Sequence, residues 1–265
     1  MKSRNLPSYT VAFSAAICVV CAVLVSSAAV SLREKQTANA ELDRKRNVLR
    51  AAGMMREDEV LPREEVEQRF GAFQMVAVDL RTGEEDADFD PTGYDPRRAQ
   101  LDPTSSLPMP RNDAQIMRVP YHALAYKMLN EEGKLELLVL PIEGKGLWST
   151  MYGFVALGPD LRTIRGLAYY QHGETPGLGG EVDNPRWKAL WPGREAYNDE
   201  GEPVIEVIRG AAGPVEADPH RVDGLSGATI TARGVTAMLR FWLGEQGFGR
   251  FIDRLRKEDG NARTT

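Results

Sequence analysis

Residues 11–30 read VAFSAAICVVCAVLVSSAAV, a run of twenty residues without a charged side chain. At about 1.5 Å of rise per residue, such a run matches the roughly 30 Å hydrocarbon core of a bilayer and predicts a membrane-crossing helix. It exceeds the apolar region of about 7–15 residues found in a cleaved signal peptide, which favours an uncleaved anchor. Lys2 and Arg4 precede the run, while Arg33, Lys35, Arg44, Lys45 and Arg46 follow it, so charge alone does not orient the span. A short tail over residues 1–10, followed by a large folded region, suits a signal-anchor with the tail in the cytoplasm. Residues 31–62 are charged and helix-prone, with Leu42, Val48 and Leu49 as sparse apolar points, and predict a helical stalk.

The pattern changes from residue 63 onward. A short helix is predicted over residues 63–69, then a strand over FQMVAVDL, residues 73–80, where alternation ends at Arg81-Thr82-Gly83. Residues 84–112 are rich in Asp and Pro and predict a long irregular excursion, either packed down or facing a partner. Four strand-like runs follow, at 119–128, 135–142, 151–157 and 163–170. A helix is expected over 184–191, with Trp187 and Trp191 at i, i+4, and a short strand over 204–209. Val235, Met238, Leu239, Trp242 and Leu243 have helical spacing in a helix predicted over 231–245, and a last helix covers 248–256. No internal repeat is visible. The expected fold class is α+β: one domain over residues 63–265 with a bent mixed or antiparallel sheet flanked by helices, carried on one N-terminal transmembrane helix.

Charge narrows the partners. The chain holds 33 basic and 38 acidic residues, and only Lys2 and Arg4 of these lie before residue 31. Without a basic face, no nucleic-acid footprint is expected. Both cysteines, Cys18 and Cys21, lie in the apolar run, so the folded region has no disulfide. A Cys-x-x-Cys pair suggests redox or metal chemistry, yet a cluster or structural zinc needs about four ligands. The pair reads as two small apolar residues of a membrane helix, and no metal site is expected.

Three glycine-rich segments carry candidate chemistry. In RVDGLSGATITARG, residues 221–234, Gly224, Ser226, Gly227 and Ala228 crowd a turn that opens onto the predicted helix. Thr229 or Thr231 could cap that helix, and a phosphate would be favoured on its free N–H groups. In GKGLWSTMYG, residues 144–153, a turn could offer backbone N–H groups and Trp148 to a ligand; a hairpin with a buried tryptophan is the competing reading. In HGETPGLGG, residues 172–180, four glycines and a proline demand special backbone angles. There Glu174 and Thr175 could bond the polar edge of a ring while Leu178 covers its face.

The order Asp-Gly-x-Ser-Gly-Ala-Thr, residues 223–229, resembles the motif read by bacterial FMN transferases. Together with GKGLWS-x-MYG, HGETPGLGG and the earlier YDPRRAQLDPTSS of residues 94–106, it resembles the C subunit of the bacterial Na⁺-translocating NADH:quinone reductase. The G subunit of the Rnf electron-transport complex is a smaller relative without a comparable insertion, and is the alternative. The resemblance covers nearly the whole chain, but Cys18 and Cys21 are not part of it. It implies FMN joined through its phosphate to Thr229 by a separate flavin transferase using FAD and Mg²⁺. It further implies flavin contacts from Asp223, Ser226, Gly227, Ala228, Trp148, Ser149, Glu174, Thr175, Leu178 and Gly179. The implied setting is the periplasmic side of the inner membrane, in a complex with the A, B, D, E and F subunits of that enzyme. Electrons would arrive from a membrane iron–sulfur centre and leave to a second FMN on the B subunit, on the way to quinone. The anchor has no carboxylate or basic group in its core, so Na⁺ transport would belong to the partner subunits.

Two other classes compete. Gly224-Leu225-Ser226-Gly227-Ala228 nearly matches a hydrolase nucleophile elbow, but His122, His172 and His220 all precede Ser226, against the order that fold requires. A tethered binding module without flavin is the second, and a colourless protein from cells containing the transferase would favour it.

Overall fold

The computed structural model describes residues 7–262; Lys2 and Arg4, with the rest of residues 1–6, lie outside the described residues. The chain divides into two compact units, residues 1–44 and 45–265. The first is helical, forming most of α1 (Pro7–Ala51). Val11, Phe13, Val19, Val23, Leu24 and Val25 are exposed along it, as are Cys18 and Cys21. Among the described residues α1 is the one helix long and apolar enough to cross a membrane.

The second unit is built on a six-stranded sheet. Its strands are β1 (Phe73–Asp79), β2 (Glu84–Glu85), β5 (His122–Leu129), β6 (Leu135–Lys145), β7 (Thr150–Leu157) and β8 (Ile164–Gln171). They run in the order β2-β1-β5-β6-β7-β8, and every pairing is antiparallel. Side chains alternate between faces along a strand, and β6 is apolar on both. Leu138, Leu140 and Ile142 enter the main core with α5 (Thr229–Leu243) and α6 (Gly249–Ala262), while Leu137 and Val139 are buried outside it.

The second face also needs cover. Phe70, at the end of α2 (Arg63–Phe70), meets the Tyr126 ring edge-on at 5.7 Å, and Tyr126 meets Phe154 at 6.0 Å. The Ala51 carbonyl lies where a side chain on Gly166 of β8 would stand. Val48, Leu49 and Ala51 are fully buried. The expected stalk over 31–62 is therefore corrected: the folded unit begins at Lys45, because a two-faced sheet requires a cover that the helix end and residues 52–62 supply.

The expected irregular excursion at 84–112 is a packed segment with its own elements. It contributes β2, α3 (Pro96–Leu101) and β3 (Ser106–Pro108), the last paired with β4 (Arg118–Pro120). The Asp95 side chain accepts from the Arg97 amide, and Pro96 opens the helix. Phe89 stacks on His122 at 4.3 Å, and the Arg97 guanidinium lies 3.5 Å from the Tyr152 ring centroid. The strand expected over 119–128 is thus two, β4 and β5. The helix expected over 184–191 shrinks to α4 (Pro185–Lys188), preceded by a 3-10 turn over Gly179–Asp183. The strand expected over 204–209 is only β9 (Glu206–Val207), paired in parallel with β10 (Arg221–Val222).

Helix α5 lies close on β6 because a glycine opens the way at two points. A Cβ on Gly144 would stand 2.7 Å from the Met238 Cβ, and one on Gly234 would meet the Lys145 carbonyl oxygen. This seam places the first turn of α5 beside the β6–β7 connection that carries Trp148.

Candidate functional site

Thr229 is the first residue of α5, and its side chain is exposed. The position before the helix belongs to buried Ala228, which offers no side-chain cap, so neither Thr229 nor Thr231 caps α5 as the sequence suggested. The turn before it is fixed from below. Asp223 Oδ1 accepts from the Ala212 amide at 2.8 Å, and its carbonyl accepts from Trp187 Nε1 at 2.9 Å. The Gly224 amide donates to the Gly210 carbonyl at 2.8 Å. Gly227 has φ +69°, a left-handed conformation that a side chain resists, and its open side faces Leu178. A Cβ there would stand 2.9 Å from Leu178 Cδ2.

The two other glycine-rich loops converge on the same place. His172 Nε2 and Asp183 Oδ2, 2.7 Å apart, close the base of the 172–180 loop. The Thr175 carbonyl accepts from the Leu178 and Gly180 amides at 3.1 and 2.9 Å, which tightens its tip. The Ser149 hydroxyl accepts from the Gly173 amide at 2.6 Å and ties this loop to the one bearing Trp148. Glu174 is buried between them. Its oxygens accept from the amides of Leu147, Trp148 and Ser149 and from the Thr231 hydroxyl. Burial alone would raise this carboxyl, but the Thr231 hydroxyl and then the three amides outweigh it and hold it below the ordinary carboxylate range.

The predicted residues therefore fall into two groups. Trp148, Thr175, Leu178, Ser226, Gly227 and Thr229 present surface to solvent, and Leu178 stands against Gly227. Ser149, Glu174 and Gly179 form the joint beneath, and Asp223 with Ala228 supports the turn. Glu174 does not present a free carboxylate to a ring edge, because the chain's own donors already engage both oxygens. Trp148 is not the buried hairpin tryptophan of the competing sequence reading: it is 67% exposed.

Sequence reasoning missed a cleft beside Thr229. A cleft of about 730 Å³ runs from Thr229 along the 206–211 segment, lined by Ile208, Arg209, Gly210, Ser226 and Arg233 among others. Arg233 lies one helical turn beyond Thr229, on the same face. Neither Arg209 nor Arg233 has an ion pair or side-chain hydrogen bond among the described residues. The signal available was Arg233 at i+4 from Thr229; Arg209 comes from a distant strand end, which no local pattern places here.

The arrangement suits a phosphorylated aromatic ligand. Thr229 lines one cleft with Arg209 and Arg233, and exposed Leu178 stands against the neighbouring Gly227. FMN carries both kinds of group, a phosphate and an aromatic ring system, and this donor set fits it.

Comparison with known proteins agrees with that fit. Residues 146–244 match a family model described as FMN-binding domain, a segment containing all eleven predicted site residues. The chain is 43% identical over 261 residues to the C subunit of the Na⁺-translocating NADH-quinone reductase of Pseudomonas aeruginosa, covering 97% of this chain and 99% of that one. It is 43% identical over 247 residues to the protein of the same name from Yersinia pestis, with 91% and 90% covered. The crystal structure of Shewanella oneidensis NqrC superposes with a TM-score of 0.74 at 36% identity, covering 82% of this chain and 99% of that chain. Similarity of this extent, running through the insertion and the site alike, shows that the chain belongs to the family of Na⁺-translocating NADH-quinone reductase C subunits.

Proposed function

We propose that this chain is the electron-carrying C subunit of a Na⁺-translocating NADH:quinone reductase, with FMN joined through its phosphate to Thr229. The observation that carries this reading is the exposed Thr229 at the end of Asp-Gly-Leu-Ser-Gly-Ala-Thr, two residues after Gly227, which stands against Leu178, inside the FMN-binding segment. FMN, when bound, supplies reversible uptake and release of electrons; the chain supplies position and electrostatics. Arg233 and Arg209 more than offset the single negative charge of a phosphodiester, and Leu178 and Trp148 offer apolar faces to the ring system. Thr229 is an attachment point rather than a catalyst. A threonine hydroxyl is a weak nucleophile without a base. The carboxylate below it, Glu174, already accepts four hydrogen bonds, so the base comes from a flavin transferase. The Thr229 oxygen then forms the ester to phosphorus of FAD as AMP leaves.

In this reading the folded unit lies on the periplasmic side of the inner membrane, held by α1. It receives electrons from a membrane iron–sulfur centre and passes them to the FMN of the B subunit, within a complex that also includes the A, D, E and F subunits. Peptide mass spectrometry on protein from its own membrane tests the attachment. Wild type should carry one FMN, less water, on the peptide containing Thr229, and Thr229→Val should fold and carry none. FMN retained by Thr229→Val, or mapped to Ser226 or Thr231, would refute the assignment.

A further inference from the structure

Loop 146–149, loop 172–180 and the first turn of α5 share one group. Glu174 Oε1 accepts from the amides of Trp148 at 2.9 Å and Ser149 at 3.1 Å; Oε2 accepts from the amide of Leu147 at 3.1 Å and the hydroxyl of Thr231 at 2.6 Å. The space around the carboxylate is closed. A Cβ on Gly146 would lie 2.6 Å from Oε1, and one on Gly179 would lie 2.8 Å from Oε2 and 2.6 Å from the Thr231 hydroxyl. Thr231 is itself buried, two residues after the exposed Thr229. All of these contacts lie within the chain, and none of them needs a cofactor.

We propose that Glu174 is a positioning residue: its carboxylate fixes the Trp148 loop against the helix turn that begins with Thr229, so that apolar face and attachment hydroxyl stand at a set separation before any flavin is joined. The positioning itself is independent of the attachment chemistry; its effect on the flavin rests on the reading of Thr229 given above. The physical basis is the charge of the acceptor. Hydrogen bonds to an ionised carboxylate are about twice as strong as neutral ones. Here three successive amides of an exposed, glycine-flanked loop converge on one such group, and without it that loop would be free to sample other conformations. Glutamine in its place keeps the shape but turns an NH₂ group toward at least one of the four donors.

Trp148 makes the idea measurable. It is 67% exposed, whereas Trp187, Trp191 and Trp242 are at most 7% exposed, so fluorescence accessible to acrylamide comes from Trp148. In the full-length chain made without the transferase, Glu174→Gln should speed hydrogen exchange at the Leu147, Trp148 and Ser149 amides at least ten-fold. The amides of Leu138 to Leu140 in β6 should be unchanged. Thr231→Val should give a smaller effect with the same pattern and raise acrylamide quenching, while Thr231→Ser should behave as wild type. In the flavin-loaded chain, Glu174→Gln should leave the mass of the FMN adduct in place but raise flavin emission severalfold, as the ring loses its fixed contact with Trp148. Equal exchange at the three amides in wild type and Thr231→Val would overturn the proposal even if Glu174→Gln failed to fold. Unchanged flavin emission in a loaded Glu174→Gln chain would overturn its functional half. Wild-type protein without FMN on Thr229 would instead count against the attachment reading, and the exchange result would then decide the positioning role alone.

Discussion

At the scale of single residues, the three hydroxyls of the 226–231 turn separate by environment. Ser226 and Thr229 are exposed, while Thr231 is buried and donates to Glu174. Thr231→Val leaves a buried carboxylate short of one donor and should cost about 1–3 kcal/mol of unfolding free energy. Urea unfolding checks this, and a cost near zero would contradict the bond. The pH dependence of the joint has a definite sign. Glu174 titrates lower in the folded chain than its usual 4.5, so its contribution is complete above that value and is lost as pH falls through the folded value. Acrylamide quenching of Trp148 should be flat from about pH 8 to about pH 5 and rise in stronger acid. Three other ionisable groups face the loops, and one of them is Asp183, whose Oδ2 lies 2.7 Å from His172 Nε2. His172 Nδ1 accepts from the Glu174 amide at 3.2 Å, and Lys145 Nζ donates to the Trp148 carbonyl at 3.3 Å. A His172→Asn background separates any imidazole contribution, and a rise centred near neutral pH in that background would assign the switch to another group. The three glycine-rich loops of the candidate site were legible in the sequence, but the partner of Glu174 was not, since Thr231 lies 57 residues away.

At the scale of elements, hydrophobic alternation located the long strands because each has at least one buried face. It failed where the elements are short and held by side chains. The 204–209 run looks like a strand, yet its amides go to different places: Val204 to the Ala196 carbonyl, Val207 to the Thr236 hydroxyl, Ile208 to the Val222 carbonyl. Helix α3 had its signal in plain view, Asp95 followed by Pro96, inside a stretch whose Asp and Pro content suggested irregular chain. Its docking depends on polar aromatic contacts that no periodicity reports. Arg97 lies over Tyr152 and donates to the Tyr170 hydroxyl and to Gln171 Oε1, each at 2.9 Å. Gln100 donates to Glu143 Oε1 at 2.6 Å. Arg97→Ala should cost about 1–2 kcal/mol and speed limited proteolysis between β2 and β3, with the sheet core unaffected. Cleavage at the wild-type rate would mean that the insertion is held by its other contacts.

At the scale of the whole molecule, the sequence showed one apolar helix and one folded region but misplaced where the second begins. The sparse apolar points Val48 and Leu49 looked like stalk residues because the helix around them is highly charged. Their burial becomes evident only once β6 is seen to be apolar on both faces. A chain starting at residue 45 should therefore fold cooperatively. One starting at residue 63 loses Val48, Leu49, Met55 and Leu61, each worth about 1.5–3 kcal/mol when fully buried. Thermal unfolding of the two should differ by well over ten degrees, and equal midpoints would restore the boundary at 63. Topology has its own check: protease added to spheroplasts should digest the unit beginning at Lys45. Protection of everything except the first residues would place that unit in the cytoplasm and break the proposed electron route.

The seam between α5 and β6 bears on which amino-acid changes this protein can survive. Some of its glycines stand open: a Cβ on Gly93 or Gly133 would meet nothing within 4 Å. At Gly234 even one added carbon collides with the Lys145 carbonyl, part of a backbone that cannot swing aside as a side chain would. In a saturation library selected for covalent flavin, Asn should be accepted at Gly93 and Gly133, where it tolerates positive φ. Gly234 should reject alanine as firmly as tryptophan. A thriving Gly234→Ala clone would mean that α5 can ride higher on the sheet and still present Thr229. If none appears, the helix has no adjacent position to drift into, and variation in this protein is confined to the surfaces around that fixed line.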